Sequence, residues 1–136
     1  MTEFEPYPYE LHNGRELEMM LAGDKPLAVF VQDPLIEKAD ALGQQNMSAH
    51  VESGALHEST RTYPFRSDDG QEYEVRYWLY ASAAEAWRIP AYYLLLDMQH
   101  HWGSWSPELE CLQGTLLGYT DAQNRYHLSR TYSRQQ

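Results

Sequence analysis

Asp97, His100 and His101 are the residues whose types and spacing could do chemistry, as ligands of a metal ion. Zinc takes carboxylate, imidazole and thiolate ligands, and Cys111 or His127 could complete a set from further along the chain. On a helix, positions four apart share a face, so Asp97 and His101 would lie together while His100 points elsewhere. Dedicated ligand spacing is missing, and the sequence predicts no metal site. We interpret the two histidines as polar residues at a helix C-terminus, where positive charge is favoured.

Carboxylates that could serve acid–base catalysis occur mainly as close pairs, which caps, a turn and an exposed strand face explain. The pairs are Glu16 with Glu18, Asp68 with Asp69, Glu72 with Glu74, and Glu108 with Glu110. Asp97 differs because it follows three consecutive leucines, and burial raises the pKa of a carboxyl. We expect a buried, hydrogen-bonded structural acid at Asp97. A catalytic role would need at least two of Asp97, His100, His101 and His127 within hydrogen-bond reach of each other.

The chain lacks the short motifs that mark common cofactor and metal sites. Glycine-rich dinucleotide loops, the Walker pattern, paired-cysteine and HExxH motifs, the nucleophile elbow and the EF-hand loop are all absent from the sequence. No cofactor is predicted on this ground. Catalysis is not the favoured function, although a site assembled from distant segments needs no local motif.

Cys111 is the single cysteine, so the chain cannot form an internal disulfide. Such a chain is typical of a reducing compartment, and we predict the cytoplasm. The leucines near Cys111 favour a small buried hydrophobe over a nucleophile. The N-terminus is acidic and polar, and no apolar run reaches the roughly 18 residues of a membrane span, so neither a leader nor a membrane segment is expected.

Aromatic side chains are abundant, with 11 Tyr, 4 Trp and 3 Phe. Half of them fall between Tyr73 and Trp105. The string from Trp102 to Trp105 places two tryptophans around a flexible break between predicted helices. Tryptophan is enriched at interface hot spots, but it is also highly buried on average, which favours a core role. The aromatic residues predicted to contact a partner or ligand are Trp78, Tyr80, Tyr92, Trp102 and Trp105.

The formal charge of the chain is -10, and it is unevenly distributed. Residues 1–58 hold 11 acidic and 3 basic residues, which gives that segment a net charge of -8. Direct binding to nucleic acid is not expected, because affinity there comes mostly from cations on phosphates. An acidic surface instead favours a basic protein partner and speeds the encounter with it.

The N-terminal half carries weaker secondary-structure signals. A capping-box pattern at 13–16 predicts a short helix over residues 14–22. The apolar run near 27–32 is too short for a helix and predicts a buried strand. Helical spacing then predicts a helix that ends at Gly43. Residues 44–54 show no clear period and predict a loop or an irregular strand.

A β-hairpin over residues 56–80 is the clearest element. Asp69-Gly70 lies between two β-prone runs, and glycine tolerates the positive φ that tight hairpin turns require. Alternate residues from Tyr73 to Leu79 form one apolar face. That face is predicted to pack on helices, while the aromatic end of the opposite face is either covered or functional.

Three helices are predicted after the hairpin, from capping patterns at Ser82, Ser106 and Thr120. In the first of them, Pro90 either kinks the helix or marks a new start. One apolar stripe of this helix consists of Trp87, Ala91, Leu94, Leu95, Met98 and Trp102. Because Tyr92, Tyr93 and Leu96 cover much of the remaining surface, the helix is predicted to be central.

The order of these elements is helix, strand, helix, hairpin and three helices, which is typical of the α+β class. We predict a small, mainly antiparallel sheet, made of the strand near 27–32 and the hairpin 56–80, packed against a C-terminal layer of about three helices. A length of 136 residues is ordinary for one domain, so residues 1–136 are predicted to form a single globular domain.

These features favour a small, acidic, non-catalytic protein-binding module, of the inhibitor, immunity, antitoxin-like or adaptor kind, that acts through an acidic face and an aromatic patch. Two alternatives stay open. One is a small-molecule-binding domain with a closed pocket lined by Tyr77, Trp87, Tyr92 or Trp102. The other is a small enzyme with the dispersed Asp and His site described above. Homo-oligomerisation would also cover exposed aromatic side chains.

Overall fold

A computed structural model describes residues 15–34 and 41–132. These residues form a small antiparallel sheet and five helices, which confirms the predicted α+β class. The helices are α1 (Glu16–Leu21), α2 (Ala41–Glu52), α3 (Arg88–Trp102), α4 (Pro107–Leu117) and α5 (Asp121–Tyr132), and the strands are β1 (Leu27–Gln32), β2 (His57–Arg66) and β3 (Glu72–Ala81). One short 3-10 turn, Ala83–Glu85, separates β3 from α3.

The sheet has the strand order β1-β3-β2, with β3 in the centre and antiparallel to both neighbours. The predicted hairpin joins β2 to β3 and pairs Arg66 with Glu72 at its last step. Gly70 has a φ of 87°, and the amide of Ser67 donates to the carbonyl of Gln71 at 2.9 Å. The hairpin is therefore confirmed, with the glycine in the conformation that its lack of a Cβ permits.

Both faces of the sheet are covered over part of their length. On one face, Leu79 and Ala81 of β3 join a core with Tyr92 and Leu96 of α3. On the other, Tyr80 belongs to a second core whose remaining buried members are Met20, Ala28, Phe30, Met47 and Leu56. Helices α1 and α2 supply two of those residues, so the aromatic end of the second face is covered, as one of the two predicted alternatives required.

Helix α2 corrects the prediction for residues 44–54. The structure has a helix through Glu52 where a loop or irregular strand was predicted, and this helix continues past the predicted end at Gly43. Among its side chains from residue 46 onward, Met47 is fully buried in the core and Val51 is half-buried one turn later. Two apolar residues at i,i+4 are enough to fix the helix against the sheet but too few to give a detectable period. Most of the helix predicted before Gly43 lies outside the described residues.

The starts of α4 and α5 follow the predicted capping chemistry. Ser106 Oγ accepts the amide of Leu109 at 3.2 Å, which caps α4 at the predicted residue. At α5, Thr120 Oγ1 accepts the amide of Gln123 at 3.2 Å, while Gln123 Oε1 accepts the amide of Thr120 at 2.8 Å. This reciprocal pair is a complete capping box, so two of the orphan amides at the helix start are satisfied.

The starts of α1 and α3 differ from the prediction. Arg15 is the N-cap of α1 and provides no side-chain cap, while the predicted cap Asn13 lies outside the described residues. Ser82 opens the 3-10 turn, again without a side-chain cap, and α3 begins six residues later, at Arg88. Pro90 then falls in the first turn of α3, where the missing N–H has no partner to lose. Of the two predicted alternatives, Pro90 marks a new start and not a kink.

Candidate functional site

The outward side of α3 carries a row of apolar side chains, of which three are exposed and two are half-buried. We call it the outer stripe and define it by Trp87, Ala91, Leu94, Met98 and Trp102. Three of its members are largely accessible, with exposed fractions of 56% for Trp87, 61% for Leu94 and 59% for Trp102. Large exposed apolar side chains on one helix face are the usual mark of an interaction surface.

The outer stripe corrects the prediction that α3 is a central helix, because one of its apolar sides is exposed. The residues that the helix buries are Tyr92, Tyr93, Leu95 and Leu96. Of the predicted stripe, only Leu95 is buried. The two tyrosines face inward because each hydroxyl has a partner on another element, and a buried hydroxyl without one would destabilise the fold.

The hydroxyl of Tyr92 accepts from Gln113 Nε2 of α4 at 2.9 Å, and the hydroxyl of Tyr93 pairs with Ser59 Oγ of β2 at 2.9 Å. Burial raises the pKa of Tyr92 to about 12, so its hydroxyl stays protonated at neutral pH. Together these contacts direct one face of α3 toward α4 and the sheet. They leave the other apolar face to solvent.

Trp87, at the start of the outer stripe, is held in place by Arg88. The guanidinium carbon of Arg88 lies 4.6 Å from the centroid of a Trp87 ring, a cation–π distance. The same guanidinium donates to Glu85 Oε1 at 2.7 Å and to the carbonyls of Thr115 and Leu116 at 3.0 and 3.1 Å. The exposed indole is therefore attached to a fixed cation at the C-terminal end of α4.

The five aromatic residues predicted for contact occupy different environments. Tyr80 and Tyr92 lie in the two cores, and Tyr80 donates to Glu58 Oε2 at 2.7 Å, so neither presents a surface to a partner. Trp78 and Trp105 are half-buried against opposite faces of the sheet. Only Trp102 is mostly exposed, because Gly103, with a φ of 81°, ends the helix directly after it.

Asp97 is hydrogen-bonded, as expected, but it is not buried. Its side chain is 52% exposed, which corrects the expectation drawn from the preceding leucines. Tyr63 donates to Asp97 Oδ1 at 2.8 Å, and Arg61 Nη1 lies 3.6 Å from Asp97 Oδ2. Arg61 also stacks over the ring of Tyr93 at 4.0 Å. The cluster fastens α3 to the edge strand β2, and burial raises the pKa of Tyr63 to about 12, which keeps it a donor.

The histidines of the predicted enzyme site have separate contacts. The ring of His100 lies 5.2 Å from that of Phe65 and 5.8 Å from that of Tyr63. His101 is exposed. His127 Nε2 lies 3.0 Å from Glu110 Oε1, and Tyr132 donates to the other oxygen of the same carboxylate.

No arrangement for metal binding is present in the described part of the chain. Within residues 15–34 and 41–132, no three His, Cys, Asp or Glu side chains are grouped to hold an ion. Cys111, named with His127 as a remote ligand, is half-buried on α4. The polar contacts of Asp97 and His127 tie helices to their neighbours, and neither joins the other.

An open cavity of about 740 Å³ lies between the hairpin end and the C-terminal end of α3. We call it the hairpin cleft and define it by residues 64–66 of β2, 72–74 of β3, and Gln99, His100 and Gly103. Phe65 and Tyr73 stack in it with ring centroids 5.8 Å apart and planes 22° apart. This cavity differs from the predicted closed pocket, since Tyr77 and Tyr92 pack in the core and Trp87 and Trp102 face outward.

The cleft is not evident from the sequence because its walls come from three separate segments. A signal was nevertheless present. Phe65 and Tyr73 lie equally far on either side of Asp69 in the hairpin turn, so they must pair across the two strands, as they do. No local sequence pattern, however, predicts that the C-terminal end of α3 lies above that pair.

Comparisons with known proteins add no relative. No family model, curated protein or solved structure matches this chain. No helix among the described residues is both long and apolar enough to cross a membrane.

Proposed function

We propose that this chain is a non-catalytic protein-binding module whose outer stripe docks a basic partner. The observation that carries the proposal is the exposure of Trp87, Leu94 and Trp102 on one side of α3. A helix normally turns its best apolar stripe inward, and α3 instead has two apolar sides, of which only one is used by the fold. Binding a partner would remove the second side from water and gain its burial energy.

Charge determines the kind of partner. A net charge of -10 opposes association with acidic proteins and with nucleic acid, and it attracts a basic surface. The partner proposed is therefore a protein whose contact surface has an apolar centre and a basic rim. An inhibitor, an immunity or antitoxin-like protein and an adaptor all work by such contacts. With one cysteine in the chain, the cytoplasm is the location we propose.

Capture from native lysate on the immobilised full chain, at low and at moderate salt, would identify a partner by mass spectrometry. The decisive step follows with the purified pair. A variant with Leu94→Gln and Trp102→Gln should bind at least about thirtyfold more weakly, because even one hot-spot residue at an interface contributes about 2 kcal/mol or more. Binding should also weaken as salt rises, since part of the attraction is electrostatic.

Leu21→Gln is the matched control. Leu21 is exposed to 56%, close to the 61% of Leu94, but it lies on α1, which covers the opposite face of the sheet. The control should bind as the parent chain does, and circular dichroism should show all variants folded. Equal loss in both variants, or retained binding in the stripe variant, would rule out the outer stripe as the docking surface.

A further inference from the structure

We propose that the hairpin cleft is a cation site that receives the guanidinium of an arginine side chain from the partner. The identity of the donor protein rests on the proposed function, whereas the chemistry of the cleft does not. A volume of about 740 Å³ is ample for a side chain and leaves room for the backbone that presents it.

The floor of the cleft suits a flat cation. Phe65 and Tyr73 pair across the hairpin on the side of the sheet that faces α3, and their rings lie nearly parallel at 5.8 Å. The His100 ring stands edge-on to Phe65, with 86° between the planes, and forms one wall. Aromatic faces carry partial negative charge, and the planar guanidinium stacks on them more readily than a strongly hydrated ammonium does.

The roof of the cleft carries partial negative charge, which attracts a cation. Gln99, His100 and Gly103 belong to the last turn and the cap of α3, and Gly103 donates its amide to the carbonyl of Gln99 at 2.8 Å. The other carbonyls of a last helical turn have no partner within the helix, and this end of the helix carries partial negative charge. Arginine has five N–H donors in a fixed plane that can reach such carbonyls while its face covers a ring.

The charged residues of the lining leave an excess of negative charge. Glu72 and Glu74 are two carboxylates, and Arg66 is the one permanent cation among the lining residues, already paired with Glu72 at 3.0 Å. Both glutamates alternate with Tyr73 along β3, so their carboxylates project to the opposite side of the sheet and act on an incoming cation through their electric field, not by contact. The hairpin turn adds Asp68 and Asp69, both exposed, beside the cleft.

The cleft and the outer stripe adjoin each other along the chain. Trp102 ends the stripe, and Gly103, the next residue, lines the cleft. A partner that covers the end of the stripe can thus reach the cleft with a side chain from its basic rim. This continuity makes an arginine of the same partner the expected occupant.

Titration of the isotope-labelled full chain with N-acetyl-arginine methylamide, followed by NMR, tests the site directly. Shifts should concentrate on Phe65, Tyr73 and Gly103. The neutral isostere, N-acetyl-citrulline methylamide, should produce none there. Equal shifts from both probes, or shifts located elsewhere, would overturn the cation site, and binding of inorganic phosphate in the cleft would show that Arg66 sets its specificity instead.

Two variants separate the contributions. Glu74→Gln should weaken binding of the arginine probe about twofold, because its carboxylate acts on the cation at a distance, while Glu108→Gln, an equal change of charge on the exposed start of α4, should not. Phe65→Leu keeps an apolar floor and should weaken binding about fivefold by removing the aromatic face. Identical affinities for the two Glu variants would refute the contribution of the negative charge at the hairpin end. Because the probe needs no partner, failure here leaves the stripe proposal standing, and failure of the stripe variants leaves the titration unaffected.

Discussion

Lys25 illustrates how a single residue links folding to pH. It is only 5% exposed, and its ammonium donates to the carbonyl of Leu117 at 2.9 Å, at the C-terminal end of α4. Burial lowers its pKa from 10.5 to about 8, against an opposing effect of Glu16. The cation thus satisfies a helix-end carbonyl but loses much of its hydration.

The sign of the resulting pH dependence follows from the lowered pKa. Between pH 8 and 10.5 the unfolded chain holds a proton on Lys25 that the folded chain has released, so the free energy of unfolding rises with pH. From pH 7 to 9.5 the rise should be about 2 kcal/mol, and Lys25→Met should abolish it. Urea denaturation at a series of pH values measures this directly. An unchanged slope in the variant would contradict the assignment to Lys25.

Buried tyrosines set the upper limit of the pH range in which the effect of Lys25 on the free energy of unfolding can be measured alone. Tyr63 and Tyr92 have pKa values raised to about 12 by burial, so their contribution to stability is complete below pH 10 and is lost as pH rises further. Above pH 10 this loss opposes the gain from Lys25. The comparison of the parent chain with Lys25→Met is therefore cleanest below that point.

At the scale of elements, α4 and α5 meet at a glycine that a larger residue cannot replace. A Cβ at Gly114 would lie 2.9 Å from Asn124 Cγ, and closer still to the side-chain oxygen. Asn124 is 5% exposed and donates to Thr115 Oγ1 at 3.1 Å, so its amide cannot move away without losing a buried hydrogen bond. This contact fixes the approach of the two helices.

Gly114→Ala should therefore destabilise the fold by about 1–3 kcal/mol, through overpacking. The sign is informative, because the same change in an open helix stabilises by about 1 kcal/mol. In an Asn124→Ala background the alanine should become favourable again. Thermal or urea denaturation of the parent chain, the two single variants and the double variant completes this double-mutant cycle. Additive changes in the free energy of unfolding would show that Gly114 and Asn124 do not interact.

The elements also show what the sequence can and cannot predict. The hairpin, α4 and α5 were predictable because their signals are local, namely the Asp69-Gly70 turn and the caps at Ser106 and Thr120. Helix α2 was not, because among its side chains from residue 46 onward only Met47 and Val51 attach it to the core. The orientation of α3 was not, because it depends on hydrogen-bond partners on α4 and β2, which no local pattern reveals.

For the candidate surfaces, too, the sequence predicts what depends on local signals and not what depends on tertiary packing. Trp102 was predicted as a contact residue and is exposed, since the Gly103 break that the sequence signals leaves its ring at the end of a helix. Tyr80 and Tyr92 were grouped with it because composition does not distinguish a buried ring from an exposed one. Their burial depends on which sheet face α1, α2, α3 and α4 cover, and that is decided by tertiary packing alone.

At the scale of the whole molecule, the outer stripe and the net charge of -10 act against each other. An exposed apolar row favours self-association, and repulsion between highly charged copies opposes it. Salt screens the repulsion, with a Debye length of about 30 Å at 0.01 M and about 3 Å at 1 M. The apolar attraction is not screened in this way.

The chain should therefore be monomeric at low salt and neutral pH, and it should self-associate at about 1 M salt or near its pI of about 4.9. Sedimentation velocity at the two salt concentrations measures this. Leu94→Gln should remain monomeric at both, whereas Leu21→Gln should behave as the parent chain. This dependence has the opposite sign to that expected for a basic partner, whose binding weakens as salt rises. A dimer that is already stable at low salt would mean that a second copy, and not a basic protein, occupies the outer stripe.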